Sequence, residues 1–243
     1  MEKEQAVVAI QNVSFTYPGR EYPVLDAMNF SLGKGKVGLI GPNGSGKTTF
    51  FHIIMGLLTP GEGKVLFKGS IVQGEKGFQD LRKSVGLLFQ DADDQLFSPT
   101  VLEDVAFGPL NLGASPEEAR KTAQETLKNL GLRDLEMRVT HRLSGGEKKL
   151  VSLATILSMQ PELLLLDEPT NNLDQETRLR LIDILNGLDL SYAIISHDWD
   201  FLEKTTREVY VIEKGRITQC EKASLHEHHH AHVYGDHPHH HGD

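Results

Sequence analysis

Val37-Gly38-Leu39-Ile40, followed by Gly41-Pro42-Asn43-Gly44-Ser45-Gly46-Lys47-Thr48-Thr49, decides the fold. An apolar run ends in a glycine-rich turn. From Thr48 to Leu58 the composition becomes helical, until Thr59-Pro60-Gly61 breaks it. Residues 41–48 match the phosphate-binding-loop pattern in full, and the strand before and helix after supply the context that pattern requires. Glycines let the backbone curl so that successive N–H groups aim at phosphate oxygens. The helix that follows adds the positive end of its dipole. Lys47 then offers a point charge to β- and γ-phosphates, and the Thr48 hydroxyl offers a ligand to Mg²⁺. Gly41 to Thr49 are therefore candidate nucleotide contacts.

Leu163-Leu164-Leu165-Leu166-Asp167-Glu168 is the natural partner of that loop, an apolar strand ending in two carboxylates. Asp167 suits Mg²⁺, directly or through water, and Glu168 suits a general base on the attacking water. The competing explanation is a charged strand end that caps the next helix.

The rest of the chain fits an α/β core around these two strands. Val7–Phe15 and Val24–Leu32 alternate like half-buried strands, Val85–Phe89 is a further strand, and Thr100 to about Met159 reads as helical. Ser115-Pro116-Glu117-Glu118 and Ser144-Gly145-Gly146-Glu147 each carry a serine cap with glutamate at the third helical position. Alternation returns with strand Leu163–Leu166, helix Gln175–Leu188, strand Ala193–Ile195 and a closing strand pair near Val209–Ile212 and Arg216–Gln219. Strands alternating with helices imply a largely parallel sheet. The expected organisation is one ATPase unit over residues 4–220, with a helical subdomain over 91–159, and a histidine-rich tail over 221–243.

Composition narrows the function classes. The 243 residues carry a formal net charge of −9, which repels nucleic acid and argues against it as main partner. No apolar run reaches the roughly 18 residues of a membrane span. The polar start Met1-Glu2-Lys3-Glu4-Gln5 is unlike a signal peptide, and Cys220 is the sole cysteine; both point to a cytoplasmic protein.

Leu143-Ser144-Gly145-Gly146-Glu147, just before the acidic strand, resembles the signature motif of ABC ATPases. Other elements of that family occur in order. Tyr17, in Phe15-Thr16-Tyr17-Pro18-Gly19, is similar to the aromatic that stacks on adenine. Gln90 is similar to the glutamine that touches Mg²⁺ and the attacking water. Asp174, in Asn172-Leu173-Asp174, is similar to the loop linking two active sites, and His197 to the switch histidine that contacts the γ-phosphate. The resemblance covers about residues 5–218. It implies a phosphate-loop core with an antiparallel β lobe and an inserted helical subdomain. It also implies that two copies, or this chain and a close paralogue, sandwich Mg-ATP. Lys47 of one would face Ser144 of the other, with Glu168, His197 and Gln90 catalytic. One departure stands at Leu150, where many relatives carry arginine; any salt bridge made there is in doubt.

Phe89 to Phe97 and Thr100 to Pro109 resemble ATPase subunits of energy-coupling-factor (ECF) transporters more narrowly. That likeness implies integral membrane partners and a peripheral location at the cytoplasmic face of the membrane. Nine of the chain's 12 histidines lie from His226 onward, and His228, His229, His230, His232, His239, His240 and His241 offer imidazoles suited to Ni²⁺ or Co²⁺. Low apolar content there predicts disorder without a ligand. Together with the ECF likeness, the tail points to nickel or cobalt import. His52 and His141 lack such context and read as structural. Three rivals stand beside this reading: an importer of another solute such as a vitamin, a soluble ABC ATPase acting on DNA or the ribosome, and a metal buffer with a vestigial ATPase. The interval from Gly46 to Leu143 lacks the sustained heptads of repair-type relatives.

Overall fold

A computed structural model describes residues 6–220; the histidine tail, and with it every metal-binding expectation placed there, lies outside them. β1 (Val8–Phe15), β2 (Leu25–Leu32), β4 (Glu62–Phe67) and the short β5 (Ser70–Ile71) form an antiparallel sheet in the order β2-β1-β4-β5. A second sheet runs β10-β9-β3-β8-β7-β6, from β3 (Lys36–Ile40), β6 (Val85–Leu88), β7 (Leu163–Asp167), β8 (Ser191–Ile195), β9 (Glu208–Glu213) and β10 (Arg216–Cys220). Its pairs are parallel except β9–β10, the expected closing hairpin.

β7 is buried along its whole length because both sheet faces are covered, and that is why Leu163–Leu166 reads as an unbroken apolar run. Leu163 and Leu165 point to one cluster with α1 (Lys47–Ile54) and the antiparallel sheet. Leu164 and Leu166 point to the other, with α3 (Val101–Asn111), α4 (Pro116–Asn129) and α5 (Gly145–Leu157). The helical segment thus shares a core with the parallel sheet.

Local differences from expectation have physical causes. α1 stops at Ile54, short of Leu58, as Gly56 takes the left-handed φ of +68° that ends helices; a Cβ there would also meet the Phe78 ring at 2.4 Å. β1 bulges between Ile10 and Val13, where Asn12 sits at φ +50°. β4, β5, α2 (Gly74–Ser84) and α7 (Trp199–Thr205) add to the elements expected from the sequence. α2 buries only Leu81, so its polar sequence carries little periodic signal. Asp198 caps α7 by accepting from the Phe201 N–H, a start signal that is legible once sought. α6 (Gln175–Gly187) matches its expected span within a residue.

Candidate active site

The phosphate loop joins β3 to α1 at the end of the parallel sheet. Gly41 (φ +149°), Gly44 (φ +78°) and Gly46 (φ +101°) hold backbone conformations that disfavour side chains. Gly41 also lies against β9, since a Cβ there would come 2.1 Å from the Ile212 carbonyl oxygen. Gly46 is hemmed in by Leu25 and Val24. Lys47 is buried, and its Nζ donates to the carbonyls of Gly41 at 2.8 Å and Pro42 at 3.1 Å. Burial lowers its pKa, opposed by the carboxylates of Glu168 and Asp167.

Asn43 to Thr49 line a cleft of about 570 Å³ together with Tyr17, Gln90, Asp167, Glu168 and His197, whereas Gly41 and Pro42 lie outside that lining. Tyr17 sits at its rim, half-buried, edge-on to Phe15 and sharing a 3.0 Å hydrogen bond with Thr49. Arg20 and Asn171 also line the cleft, though neither belongs to a recognisable motif. A second cleft, of about 990 Å³, opens on the other side of Thr48, Gln90 and Asp167, between Asp91–Asp94 and the α5 lysines.

The two carboxylates are buried at the end of β7. Burial raises the pKa of Asp167, opposed by a hydrogen bond from the Thr48 hydroxyl and by His52, Lys47 and Lys149. Glu168 takes φ +45°, which turns it off the strand, and its N–H donates to Ile195. Burial also raises its pKa; a hydrogen bond from the His197 N–H opposes that shift and Asp167 adds to it. His197 Nε2 lies 3.2 Å from Glu168 Oε1. Burial and Lys47 hold the imidazole below its ordinary pKa, so at neutral pH the contact is a hydrogen bond from Nε2–H rather than an ion pair. Arg178, at the start of α6, grips Asp198 at 2.6 and 2.9 Å and Asp200 at 2.6 Å, and so fixes the loop that presents His197.

Asp167 Oδ1, Glu168 Oε2 and Ser45 Oγ are buried with no hydrogen-bond partner among the described residues. Such atoms are costly unless something polar satisfies them. Thr48, Asp167 and Gln90 all line this cleft, and their oxygens are of the kind that would hold Mg²⁺ with phosphates and water completing its shell. No group of three or more His, Cys, Asp or Glu side chains suited to a metal occurs among the described residues.

Leu143–Glu147 does not line the Lys47 cleft of its own chain. Ser144 caps α5 through a reciprocal box, its hydroxyl accepting from the Glu147 N–H at 3.3 Å while Glu147 Oε2 accepts from the Ser144 N–H at 2.8 Å. Ser144 and Gly145 are exposed, whereas Leu143 and Gly146 are buried. A Cβ on Gly146 would meet Thr177 Oγ1 at 2.8 Å. Asp174 caps α6 next to it, accepting from the Thr177 N–H and hydroxyl. Leu150 is buried in the apolar cluster of the helical segment and makes no salt bridge.

A phosphate loop beside two buried carboxylates on a parallel sheet defines a P-loop nucleotide hydrolase. The chain matches the model of the ABC transporter family over residues 25–171 and belongs to that family; it is an ABC ATPase. The energy-coupling factor transporter ATP-binding protein EcfA of Methanocaldococcus jannaschii is 44% identical over 87% of this chain and 77% of its own length. The structure of cbiO1 from Clostridium perfringens, described as part of the ABC transporter complex cbiONQ, has a TM-score of 0.79 at 34% identity and covers 92% of both chains. The ATP-binding cassette MJ0796, a dimer bound to ADP and Pi after hydrolysis, has a TM-score of 0.79 at 27% identity and covers 88% of this chain and 98% of its own.

Proposed function

We propose that this chain is the ATP-hydrolysing subunit of an ECF-type importer and works as an ATP-sandwich dimer with a second copy or a close paralogue. The observation that carries the ATPase mechanism is Glu168, buried at the cleft beside Asp167 and hydrogen-bonded to His197. Glu168 accepts a proton from the attacking water, His197 holds Glu168 in place and contacts the γ-phosphate, and Lys47 neutralises phosphate charge. Tyr17 stacks on the base. Thr48, Asp167 and Gln90 would hold Mg²⁺, which would supply charge neutralisation to the phosphates. Ser144, which does not line the Lys47 cleft of its own chain and is exposed at a helix N-terminus, meets the nucleotide of the partner on this reading. The cassette spans 4–220, with 91–159 as its helical part. Dimeric MJ0796 and the names of EcfA and cbiO1 support the assembly.

The membrane partner docks, on this reading, in an apolar groove of about 420 Å³ lined by Leu57, Leu87, Phe97, Phe107 and Met159. Phe97 is 66% exposed and packs edge-on against Phe107, an unusual position for a large aromatic. No helix among the described residues is long and apolar enough to cross a membrane, so docking supplies the attachment. Phe97→Glu with Phe107→Glu is expected to abolish co-purification of membrane subunits from detergent extracts while leaving thermal stability unchanged. Recovery of DNA or ribosomes with the native chain instead of membrane proteins overturns the importer reading.

Nickel or cobalt as cargo rests on the ECF likeness and the His228–His241 tract. Calorimetry of that tail as a peptide is expected to show Ni²⁺ and Co²⁺ binding. Heat no larger than from an alanine-substituted peptide removes the metal assignment.

A further inference from the structure

α5 carries two lysines directly after its serine-capped turn. Lys148 pairs with Asp93 at 2.5 Å near the surface. Lys149 is buried, and its Nζ donates to the backbone carbonyls of Phe89 at 3.2 Å and Gln90 at 2.6 Å. Its neighbours Leu150 and Val151 are core residues, so an apolar side chain would suit the packing. A buried ammonium costs free energy unless its donors are used, and here two are spent on one short stretch of backbone. Burial lowers the pKa of Lys149, opposed by the carboxylates of Asp91, Asp167 and Glu168.

The same stretch is tied to α5 once more. Gln95 Nε2 donates to the Ser152 carbonyl at 2.7 Å and to Thr155 Oγ1 at 2.8 Å, and its Oε1 accepts from the Phe89 N–H at 3.4 Å. Segment 89–95 is therefore laced to the helix that begins at Ser144. Among these contacts only Lys149 reaches Gln90 itself. Gln90 lines both clefts, alongside Thr48 and Asp167 in each.

We propose that Lys149 is a positioning residue, whose ammonium clamps the Gln90 backbone to α5 and keeps the Gln90 side chain at the Thr48–Asp167 side of the cleft. This rests on the role given above to Gln90. It makes two distant parts one body: Gln90, which serves the nucleotide of its own chain, and Ser144, which is offered to the partner. Lys149 thereby ties the geometry of one ATP site to that of the other.

Lys149→Met keeps the apolar stem and removes the donors. Turnover by the full chain is expected to fall about tenfold, equivalent to ~1.4 kcal/mol of barrier, with KM for ATP within about twofold of the parent. Hydrogen exchange without nucleotide should speed up at amides 89–95 and stay unchanged at the far end of α5. Lys149→Arg, which retains donors, should recover most of the turnover. A purely structural lysine would lower Tm and leave kcat alone. Unchanged kcat, unchanged exchange at 89–95, or KM rising in step with the loss of kcat each overturns the proposal. If the methionine variant does not fold, Lys149→Gln is read by the same criteria. Gln90→Ala, run in parallel, separates the layers: full turnover there removes the role of Gln90 and the clamp together, whereas loss there beside an active Lys149→Met removes the clamp alone.

Discussion

Glu168→Gln is expected to lower kcat by ~10²–10⁴-fold, the usual range for loss of a positioned general base, while ATP binding is kept. The amide is nearly the same shape and can still accept the His197 Nε2–H bond through its oxygen, so the cleft keeps its form. What it cannot do is take a proton from water. ATP should then hold two copies together without being consumed, and gel filtration with Mg-ATP should show a dimer that the parent chain does not accumulate. Full turnover in this variant refutes the role of Glu168, whatever the oligomeric state.

The raised pKa of Glu168 gives the same substitution a second readout. The base works only when ionised, so kcat of the parent should decline on acidification from a higher pH than an ordinary carboxylate produces. Stability runs in the opposite sense. A folded pKa above the ordinary 4.5 means the native state holds the proton more tightly than the unfolded chain does. The cost of the ionised carboxylate is therefore absent below the ordinary value, and it is fully present once pH exceeds the folded one. Glu168→Gln should melt above the parent at neutral pH, with the gap closing under acidic conditions. A gap independent of pH contradicts the cause assigned to it.

Gly41→Ala is the second large effect. Its Cβ would enter space 2.1 Å from the Ile212 carbonyl and 2.8 Å from Ser45 Oγ, on a backbone at φ +149°. Backbone oxygen of a paired strand cannot swing aside as a side chain can, so either β9 or the phosphate loop must move. Nucleotide binding should be lost, together with about 3 kcal/mol or more of stability. Gly44→Ala is the control, because nothing lies within 4 Å of its Cβ and only the strain of φ +78° remains. It should cost roughly 1 kcal/mol. Titration with a fluorescent ATP analogue and thermal melts check both; equal behaviour of the two variants contradicts crowding as the cause.

Much of the site is legible in the chain because its chemistry is local. The phosphate loop needs glycines at particular positions and a lysine at the first residue of the helix, and these stand side by side in residues 41–49. β7 announces itself as four leucines and an aspartate, with Glu168 directly after, since a strand covered on both faces has no polar alternation to confuse it. Serine caps with glutamate three residues later mark the starts of α4 and α5, because each box is closed within one turn. α2 left no such mark, having one buried residue in 11.

What the chain alone determined was the inventory: a phosphate loop, a carboxylate pair, a capped serine turn and a histidine, in an order that defines the family. Only the tertiary structure decided which of them meet. Packing of β7 against β8 brings Glu168 to His197, and packing of α5 under segment 89–95 sends Lys149 to Gln90 while leaving Ser144 outside the cleft of its own chain. The reason is that motif chemistry is written in neighbouring residues. Burial and charge compensation arise from contacts between segments far apart in sequence.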